Sequence, residues 1–237
     1  MSLVTDLPVV DSPVLSLADT AYQQLRDKLI MLEIRPGDPI NDGLLSVELG
    51  MGRTPVREAL KRLEGDHLVI SYARRGTFAT IVDITELADV SEIRELLEPL
   101  AARRAATVAG PQIREQMREM AKAIATIDSA PVDQQELMRY DITVHRLIYR
   151  AAANPHLEDV LIRYDNLATR IWCLVLQKAP SVTGHITEHV ALLQAIADGD
   201  GERAAQLALE HVTSFEKTIH DVLQPRSVGR PAAGDRG

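Results

Sequence analysis

One short β-prone stretch interrupts a chain whose apolar residues otherwise recur at helical spacing. The stretch is LVISYARRGTFATIV (residues 68–82), which contains two strand-like runs joined by a tight turn at Arg74-Arg75-Gly76. Three helical segments precede it, and only helical segments follow it. This order predicts a mainly α protein, in which an N-terminal winged helix-turn-helix is followed by an antiparallel all-α bundle of six or seven helices.

The segments before the hairpin have clear helix signals. The first begins at Leu17 and ends before the turn sequence RPGDP, and the second runs from about Asp42 to Leu49. In the third, Thr54 is predicted to be the N-cap and Pro55 the first helical residue. Apolar residues spaced i, i+3, i+4 and i+7 predict a buried stripe on this helix: Val56, Ala59, Leu60 and Leu63.

Turn sequences divide the remainder into helices. Thr85 is predicted to cap a helix that ends near Val108, before the break at Gly110-Pro111. Later breaks at DSAP, NP, APSVTG and DGDG separate the helices that follow, and one of these is predicted to end near Lys178.

These breaks predict two domains. The winged helix-turn-helix domain is expected at residues 15–83 and the all-helical domain at residues 84–223. The segments 1–14 and 224–237 lack sustained periodicity and are predicted to be disordered.

The composition excludes several classes of protein. No apolar run approaches the length of about 20 residues that spans a bilayer. The N-terminus lacks the basic start and apolar stretch of a secretory signal, so none is predicted. Cys173 is the only cysteine, so no disulfide can form within the chain, and the cytoplasm is the predicted compartment. A net charge of −8 argues against indiscriminate binding to polyanions but allows one local basic patch.

Such a patch is present in the stretch GRTPVREALKRLE. Arg53, Arg57 and Lys61 lie four residues apart, on the side of the third helix opposite its apolar stripe. A solvated helix face has the same pattern, but the third helix of a winged helix-turn-helix fits the major groove of DNA. The hairpin turn adds Arg74 and Arg75 for phosphates or the minor groove. We therefore predict that these cations bind DNA.

The N-terminal part resembles the GntR family of bacterial transcription regulators. The stretch LLSVELGMGRTPVREALKRLEGDHLVISYARRGTFAT follows that family's pattern from the second helix through the wing. The resemblance implies that Arg53, Thr54 and Arg57 contact DNA, together with Gly76 in the wing. Gly52 stands where the family usually has Ser or Thr, so one hydroxyl that contacts phosphate is missing.

The helical remainder is similar to the FadR-type branch of that family, whose C-terminal domain binds a ligand. EIRELLEPLAARRAA resembles the opening helix of that domain, and EHVALLQAIADGDGERAAQLALEHV resembles its last two helices. The resemblance covers about residues 17–221. It implies a homodimer that binds a palindromic operator in double-stranded DNA, with an affinity that a small molecule changes.

Four polar residues in the second domain suit a divalent transition metal ion. Asp141 and His145 share a helix face that is predicted to be buried. Burying a carboxylate or an imidazole there costs free energy unless the group is paired or bound to a metal ion. His189 and His211 lie about eleven residues either side of the DGDG turn, so antiparallel packing brings them to one level. One Asp and three His suit Zn²⁺, Ni²⁺ or Mn²⁺.

The resemblance supports this prediction, since proteins of the FadR-type branch often bind a metal through an Asp and three His. Hydrogen-bonded core histidines are the alternative. His185, one turn before His189, is predicted to lie on the solvated surface.

Three further residues are candidates for contact with an effector. Arg94 lies in the opening helix, where the family often has an Arg near the cavity, and a guanidinium suits a carboxylate. An i, i+4 pair with Glu98 is an equally weighted alternative. Asn166 and Arg170 are also candidates, although a simple exposed face is favoured for them.

The sequence therefore predicts a ligand-responsive transcription repressor rather than an enzyme. It would sense a small carboxylate or sugar acid through the metal-containing site. Two alternatives stay open: a regulator for which the metal itself is the signal, and a hydrolase domain with a metal-activated water. No Glu or His is clearly placed as a general base, which counts against the hydrolase.

Overall fold

The computed structural model describes residues 15–127, 133–175 and 183–223. The predicted disordered ends, and the predicted helix end near Lys178, lie outside these residues. The first part of the chain forms three helices and three strands. The helices are α1 (Leu17–Ile30), α2 (Asp42–Glu48) and α3 (Arg53–Gly65), and the strands are β1 (Pro39–Ile40), β2 (Val69–Tyr72) and β3 (Gly76–Ala79).

The sheet is antiparallel in the order β1-β3-β2, and it contains one strand that the sequence did not predict. That strand, β1, lies opposite Phe78 and Thr77 of β3. It has only two residues, one of them proline, so no alternation of apolar and polar residues could predict it. The predicted hairpin is present, and its turn has positive φ at Arg74 (63°) and Gly76 (99°).

α3 begins two residues earlier than the sequence pattern suggested. Gly52, in an extended conformation, is its N-cap, so the prediction of Thr54 as N-cap is wrong. Pro55 is tolerated in the first turn because the N–H that proline lacks has no acceptor within the helix there. The predicted stripe is buried, and it comprises Val56, Ala59, Leu60 and Leu63.

Six long helices make up the second part of the described chain. They are α4 (Leu87–Val108), α5 (Pro111–Ala125), α6 (Gln134–Ala151), α7 (Pro155–Val175), α8 (Thr183–Asp198) and α9 (Gly201–Leu223). A 3-10 turn, Ile84–Glu86, leads into α4. Its cap is Asp83 and not the predicted Thr85, because the Asp83 carboxylate accepts from the Thr85 N–H (2.9 Å) and hydroxyl (2.7 Å).

These six helices pack around one apolar core, while a second core joins α1, α3 and the sheet. α4 lies along α9 and also contacts α6, α7 and α8, and α5 packs on α8. Ile142 of α6 packs against both cores, so the two parts of the chain are in contact. The domain boundaries themselves stay a prediction. None of the described helices has an apolar stretch long enough to cross a lipid bilayer.

Candidate DNA-facing surface and metal centre

The third helix presents its cations to solvent. The side chains of Arg53 and Arg57 are 59% and 65% exposed, and both bind the carboxylate of Asp42 at the start of α2. Arg53 Nη2 lies 2.8 Å from Asp42 Oδ1, and Arg57 Nε donates to Oδ2. The hydrogen bonds from Arg53 and Arg57 lower the pKa of Asp42. Lys61 is exposed on the same helix. The ion pairs orient both guanidinium groups without burying them.

The hairpin turn adds further exposed groups beside this helix. Arg74, Arg75 and Gly76 are all exposed, and the Arg75 guanidinium lies 5.8 Å from the centroid of the Tyr72 ring. Thr54 is also exposed, so all seven residues predicted to contact DNA lie on the surface. Asp42 was not predicted, since no local pattern links it to cations on another helix.

The four predicted metal ligands meet in the interior of the six-helix part. Asp141 and His145 come from α6, His189 from α8 and His211 from α9, and all are buried. One ligand atom from each lies within 4.8 Å of the others. His145 Nε2 is 3.4 Å from His189 Nε2 and 3.3 Å from His211 Nε2. The Asp141 oxygens lie 3.8 Å from Nε2 of His145 and of His189.

The opposite nitrogen of two of these imidazoles faces a hydrogen-bond acceptor. His211 Nδ1 lies 2.9 Å from a carboxylate oxygen of Glu188, and His189 Nδ1 lies 3.2 Å from the carbonyl oxygen of Ile186. A carboxylate and a carbonyl can only accept, so each Nδ1 carries a proton. The Nε2 lone pairs are therefore directed toward the centre of the cluster.

His145 is oriented in the same way by two groups that the sequence did not identify as ligand supports. The Tyr149 hydroxyl donates to Glu98 Oε1 (3.0 Å), so its oxygen accepts from His145 Nδ1 (3.1 Å). Glu98 Oε2 lies 3.4 Å from the same nitrogen. Acceptors at the far nitrogen commonly orient histidines that bind metal ions. Tyr149 follows His145 by one helical turn, and this spacing is the only local signal for its role.

The residues present fit a divalent metal ion. Three imidazole lone pairs that face one another repel unless a proton or a cation lies among them. Asp141 Oδ1 is buried and accepts no hydrogen bond within the described part of the chain, which is costly for a carboxylate. A cation would satisfy all four side chains at once. One carboxylate and three imidazoles suit Zn²⁺, Ni²⁺ or Mn²⁺.

Without a metal ion, burial and neighbouring charges shift the pKa of each group. Burial raises the pKa of Asp141 to about 6 and lowers the pKa of His189 and of His211 well below the usual range. Burial also acts to lower the pKa of His145, but the carboxylates of Glu98 and Asp141 outweigh it and raise the pKa to about 9. The metal-free cluster therefore holds a proton on His145 at neutral pH.

His185 lies at this cluster, and the prediction of a solvated surface position is wrong. Its side chain is only 9% exposed. Its ring stacks on that of His211, with centroids 4.1 Å apart, and on that of Trp172, with centroids 4.8 Å apart. Its place one turn before His189 puts both on one helix face. The rings that cover it come from α7 and α9, which no local pattern indicates.

Arg94 and Glu98 form the i, i+4 ion pair that the sequence offered as one alternative. Arg94 Nε donates to Glu98 Oε1 at 2.6 Å, and both side chains are buried. Within the described residues, no acceptor takes a hydrogen bond from the two Nη atoms of Arg94. The Glu98 carboxylate therefore contacts both the Arg94 guanidinium and the His145 ring.

Asn166 and Arg170 of α7 are each only 1% exposed, so the exposed face favoured for them is wrong. Asn166 accepts a hydrogen bond from Arg146, while its amide nitrogen has no partner among the described residues. Arg170 instead reaches Thr80 at the end of the wing, donating to its hydroxyl and its carbonyl at 2.7 Å each. Long-range packing of α7 against both parts of the chain explains the burial of these two residues.

Comparison with known proteins decides the family. The model described as bacterial regulatory proteins, gntR family, matches residues 17–79, and the FCD domain model matches residues 89–214. The chain belongs to the GntR family. The two matches together make this GntR protein a DNA-binding transcription regulator with an FCD domain.

Named relatives of this GntR regulator agree. The HTH-type transcriptional regulator YdhC of Bacillus subtilis is 26% identical, over 86% of this chain and 91% of YdhC. The Nta operon transcriptional regulator of Aminobacter aminovorans is 25% identical, over 82% of this chain and 90% of the relative. The transcriptional repressor RspR of Escherichia coli (strain K12) is 21% identical, over 87% and 90%. These relatives are regulators and not enzymes, so the hydrolase alternative has no support.

Solved structures show the same fold. E. coli McbR/YncC superposes with a TM-score of 0.75 at 21% identity. The superposition covers 89% of this chain and 100% of the McbR/YncC chain. A GntR transcriptional regulator from Rhodococcus sp. RHA1 superposes with a TM-score of 0.65 at 19% identity, covering 86% and 97%.

Proposed function

We propose that this GntR regulator is a cytoplasmic homodimer that represses transcription from a palindromic operator and responds to a small organic or sugar acid. The proposal is carried by the convergence of Asp141, His145, His189 and His211 on one buried point. Burial of these imidazoles, and of the Asp141 oxygen that has no partner among the described residues, costs free energy, and a bound cation would offset that cost.

Asp141, His145, His189 and His211 would hold the metal ion, which would supply a Lewis-acidic centre for the oxygens of an acid. The other residues of the cluster keep the ligands in place. Glu188 fixes the ring of His211, and Tyr149 with Glu98 fixes that of His145. The ligands come from α6, α8 and α9, so an acid bound among them acts on three helices at once.

Arg94 and Asn166 are proposed to bind the acid beside the metal. The Nη atoms of Arg94 donate no hydrogen bond within the described residues, and they suit a carboxylate, which a guanidinium binds through two parallel hydrogen bonds. The amide nitrogen of Asn166, which has no partner in the described part of the chain, suits a hydroxyl or carboxylate oxygen. A guanidinium binds a carboxylate more strongly than a neutral acceptor, and both the guanidinium and the metal ion would repel a cation, so we favour an organic or sugar acid. Arg170 was a third candidate, and its bonds to Thr80 favour a different role.

The winged part is proposed to bind the operator through the exposed residues of α3 and the wing turn. These are Arg53, Thr54, Arg57, Lys61, Arg74, Arg75 and Gly76. In a homodimer, two copies of α3 reach half-sites about 34–36 Å apart. An acid that stabilises another arrangement of the dimer changes this spacing and releases the DNA. The name of the relative RspR, a repressor, supports repression as the default state.

Metal content tests the first part of the proposal. Purified protein is expected to carry up to one transition metal ion per chain by elemental analysis. His189→Ala should lose it, whereas His156→Ala, which removes an exposed imidazole from α7, should keep it. A metal-free wild type that binds acids with undiminished affinity would contradict the metal centre.

A thermal-shift screen of small carboxylic and sugar acids tests the second part. An acid that binds the folded protein and not the unfolded chain raises its Tm, and the rise grows with the ratio of acid concentration to Kd. The shift should disappear when a chelator is added, and the same acid should release DNA that the wild type selects from a random-sequence library. If no acid in a broad screen shifts Tm while metal alone changes DNA affinity over a physiological range, the metal itself is the signal. The four-ligand cluster supports this alternative because it needs no group besides the metal ion.

A further inference from the structure

We propose that Asp42 is a positioning residue that sets the DNA sequence specificity of this regulator, because its carboxylate holds the guanidinium groups of Arg53 and Arg57 in one fixed arrangement. The inference rests on the proposed operator-binding surface and adds an acidic residue to it. An acidic side chain beside DNA repels the phosphates, so its place among cations requires a physical reason.

One carboxylate at the start of α2 binds two side chains of α3. Arg53 Nη2 lies 2.8 Å from Asp42 Oδ1, and Arg57 Nε donates to Oδ2, so each oxygen takes one guanidinium. Arg53 and Arg57 are one helical turn apart on the same face of α3. Because both are tied to the same group on another helix, the spacing between the two guanidinium groups is fixed together with their direction.

Asn41, and not Asp42, caps α2. The Asn41 side chain accepts from the backbone N–H groups of Gly43 and Leu44 at 2.9 and 3.1 Å. Gly43 also leaves room for the Arg53 guanidinium. A Cβ at Gly43 would lie 4.0 Å from Cζ and Nε of Arg53, so a longer side chain would compete for that space. The first turn of α2 therefore accommodates Arg53, and its carboxylate is available to the two arginines.

The ion pairs leave the terminal nitrogens of Arg57 available for a base. Within the described part of the chain Arg57 donates only through Nε, so Nη1 and Nη2 keep their protons for another acceptor. This pair of nitrogens is able to bind O6 and N7 of guanine through two hydrogen bonds. Lys61, one turn further along, has no ion pair among the described residues and suits a phosphate as a mobile point charge.

This arrangement favours base contacts over phosphate contacts. Both arginine side chains are more than half exposed, and without Asp42 each could turn toward the nearest phosphate in any sequence. Asp42 also cancels one of the two positive charges, which weakens the sequence-independent attraction to DNA. A correctly placed guanine still receives two hydrogen bonds from the oriented guanidinium. Asp42 therefore lowers non-specific affinity while specific affinity is retained.

The ratio of two dissociation constants tests the inference. One duplex is selected by the wild type from a random-sequence library and the other is unrelated, and both are titrated by gel shift with the full-length protein at one salt concentration. Asp42→Asn removes the charge at nearly equal volume. It should lower the preference for the selected duplex by at least about fivefold. A smaller reduction, or none, would overturn the inference.

Two further variants separate the role of this carboxylate from the net charge of α2. Glu48→Gln removes one negative charge from the same helix, where Glu48 binds Lys28 at 2.7 Å, and should keep the wild-type preference. Asp42→Glu keeps the charge on a side chain that is long enough to reach both arginines, and it should lose less preference than Asp42→Asn. An equal loss in Glu48→Gln, or in Asp42→Glu, would overturn the inference.

The hydrogen bonds of Asp42 go to exposed side chains, so these variants should keep the wild-type Tm. Asp42→Ser, which removes the same charge, replaces Asp42→Asn if the latter melts at a lower temperature. If selection enriches no duplex, or if Arg53→Ala and Arg57→Ala keep the wild-type preference, the proposed operator-binding surface is wrong. If both arginine variants lose preference and Asp42→Asn does not, only the role of Asp42 is wrong.

Discussion

Arg170 of α7 and Thr80 at the end of the wing join the two parts of the chain through two hydrogen bonds of 2.7 Å. The Thr80 hydroxyl in turn donates to the carbonyl oxygen of His67, which follows α3 (2.8 Å). Two residues beyond Arg170, Trp172 stacks on His185. An unbroken series of contacts therefore connects the histidine cluster with the C-terminal end of the proposed recognition helix.

Arg170→Met should weaken this connection. The substitution removes two charge-assisted hydrogen bonds, each worth about 1.5–3 kcal/mol, although relief of the buried charge offsets part of the loss. We expect calorimetry to show one cooperative unfolding transition for the wild type and two for Arg170→Met. Thr80→Ser keeps the hydroxyl and the carbonyl and should retain the single transition. A single transition at unchanged Tm in Arg170→Met would show that the bonds do not couple the two parts.

Arg57→Ala should weaken specific DNA binding by about 1–3 kcal/mol if the guanidinium reads a base. Binding is measured by gel-shift titration at fixed salt, with a duplex that the wild type selects from a random-sequence library. Arg62→Ala is the control on the same helix, since Arg62 binds Asp19 and lies over the Tyr22 ring of α1. Affinity that falls equally in both variants would argue against base reading by Arg57.

Glu188→Gln should lower metal affinity by about 10–100-fold, because the charged acceptor that orients His211 is lost. Affinity is measured by competition with a chromophoric chelator. Glu210→Gln provides the control, since Glu210 is an exposed glutamate on α9 that accepts from Gln206. Unchanged affinity in Glu188→Gln would mean that packing alone orients the His211 ring.

Metal affinity should rise about tenfold per pH unit from pH 7 and level off near pH 9. In the metal-free protein the pKa of His145 is about 9, so one proton must leave before the ring can bind a cation. The raised pKa stabilises the metal-free fold fully below about pH 6.5, and this contribution is lost as the pH rises through about 9. Chelator competition across this pH range measures the slope.

Glu98→Gln is the variant that checks the cause of this slope. Glu98→Gln removes the strongest electrostatic attraction that keeps the proton on His145, so the pH dependence of metal affinity between pH 7 and 9 should flatten. A slope as steep as that of the wild type would assign the proton to another group.

Much of the architecture was accessible from local patterns. Helical periodicity predicted the six long helices, and the strand-like runs around Arg74-Arg75-Gly76 predicted the hairpin. Local signals failed at the exact starts of two helical segments. Gly52 caps α3 instead of Thr54, and Asp83 caps the turn before α4 instead of Thr85, because the backbone conformation between elements decides which group is free to cap.

The sequence by itself determined which residues share a helix face, and that was enough to place Asp141 beside His145 and to bring His189 level with His211. Only the tertiary structure decided which other helix covers each face. It enclosed His185, turned Arg170 toward Thr80 and set Asp42 against two arginines. The physical reason is that side-chain direction along a helix repeats every 3.6 residues, whereas the partner of a face depends on how distant segments pack.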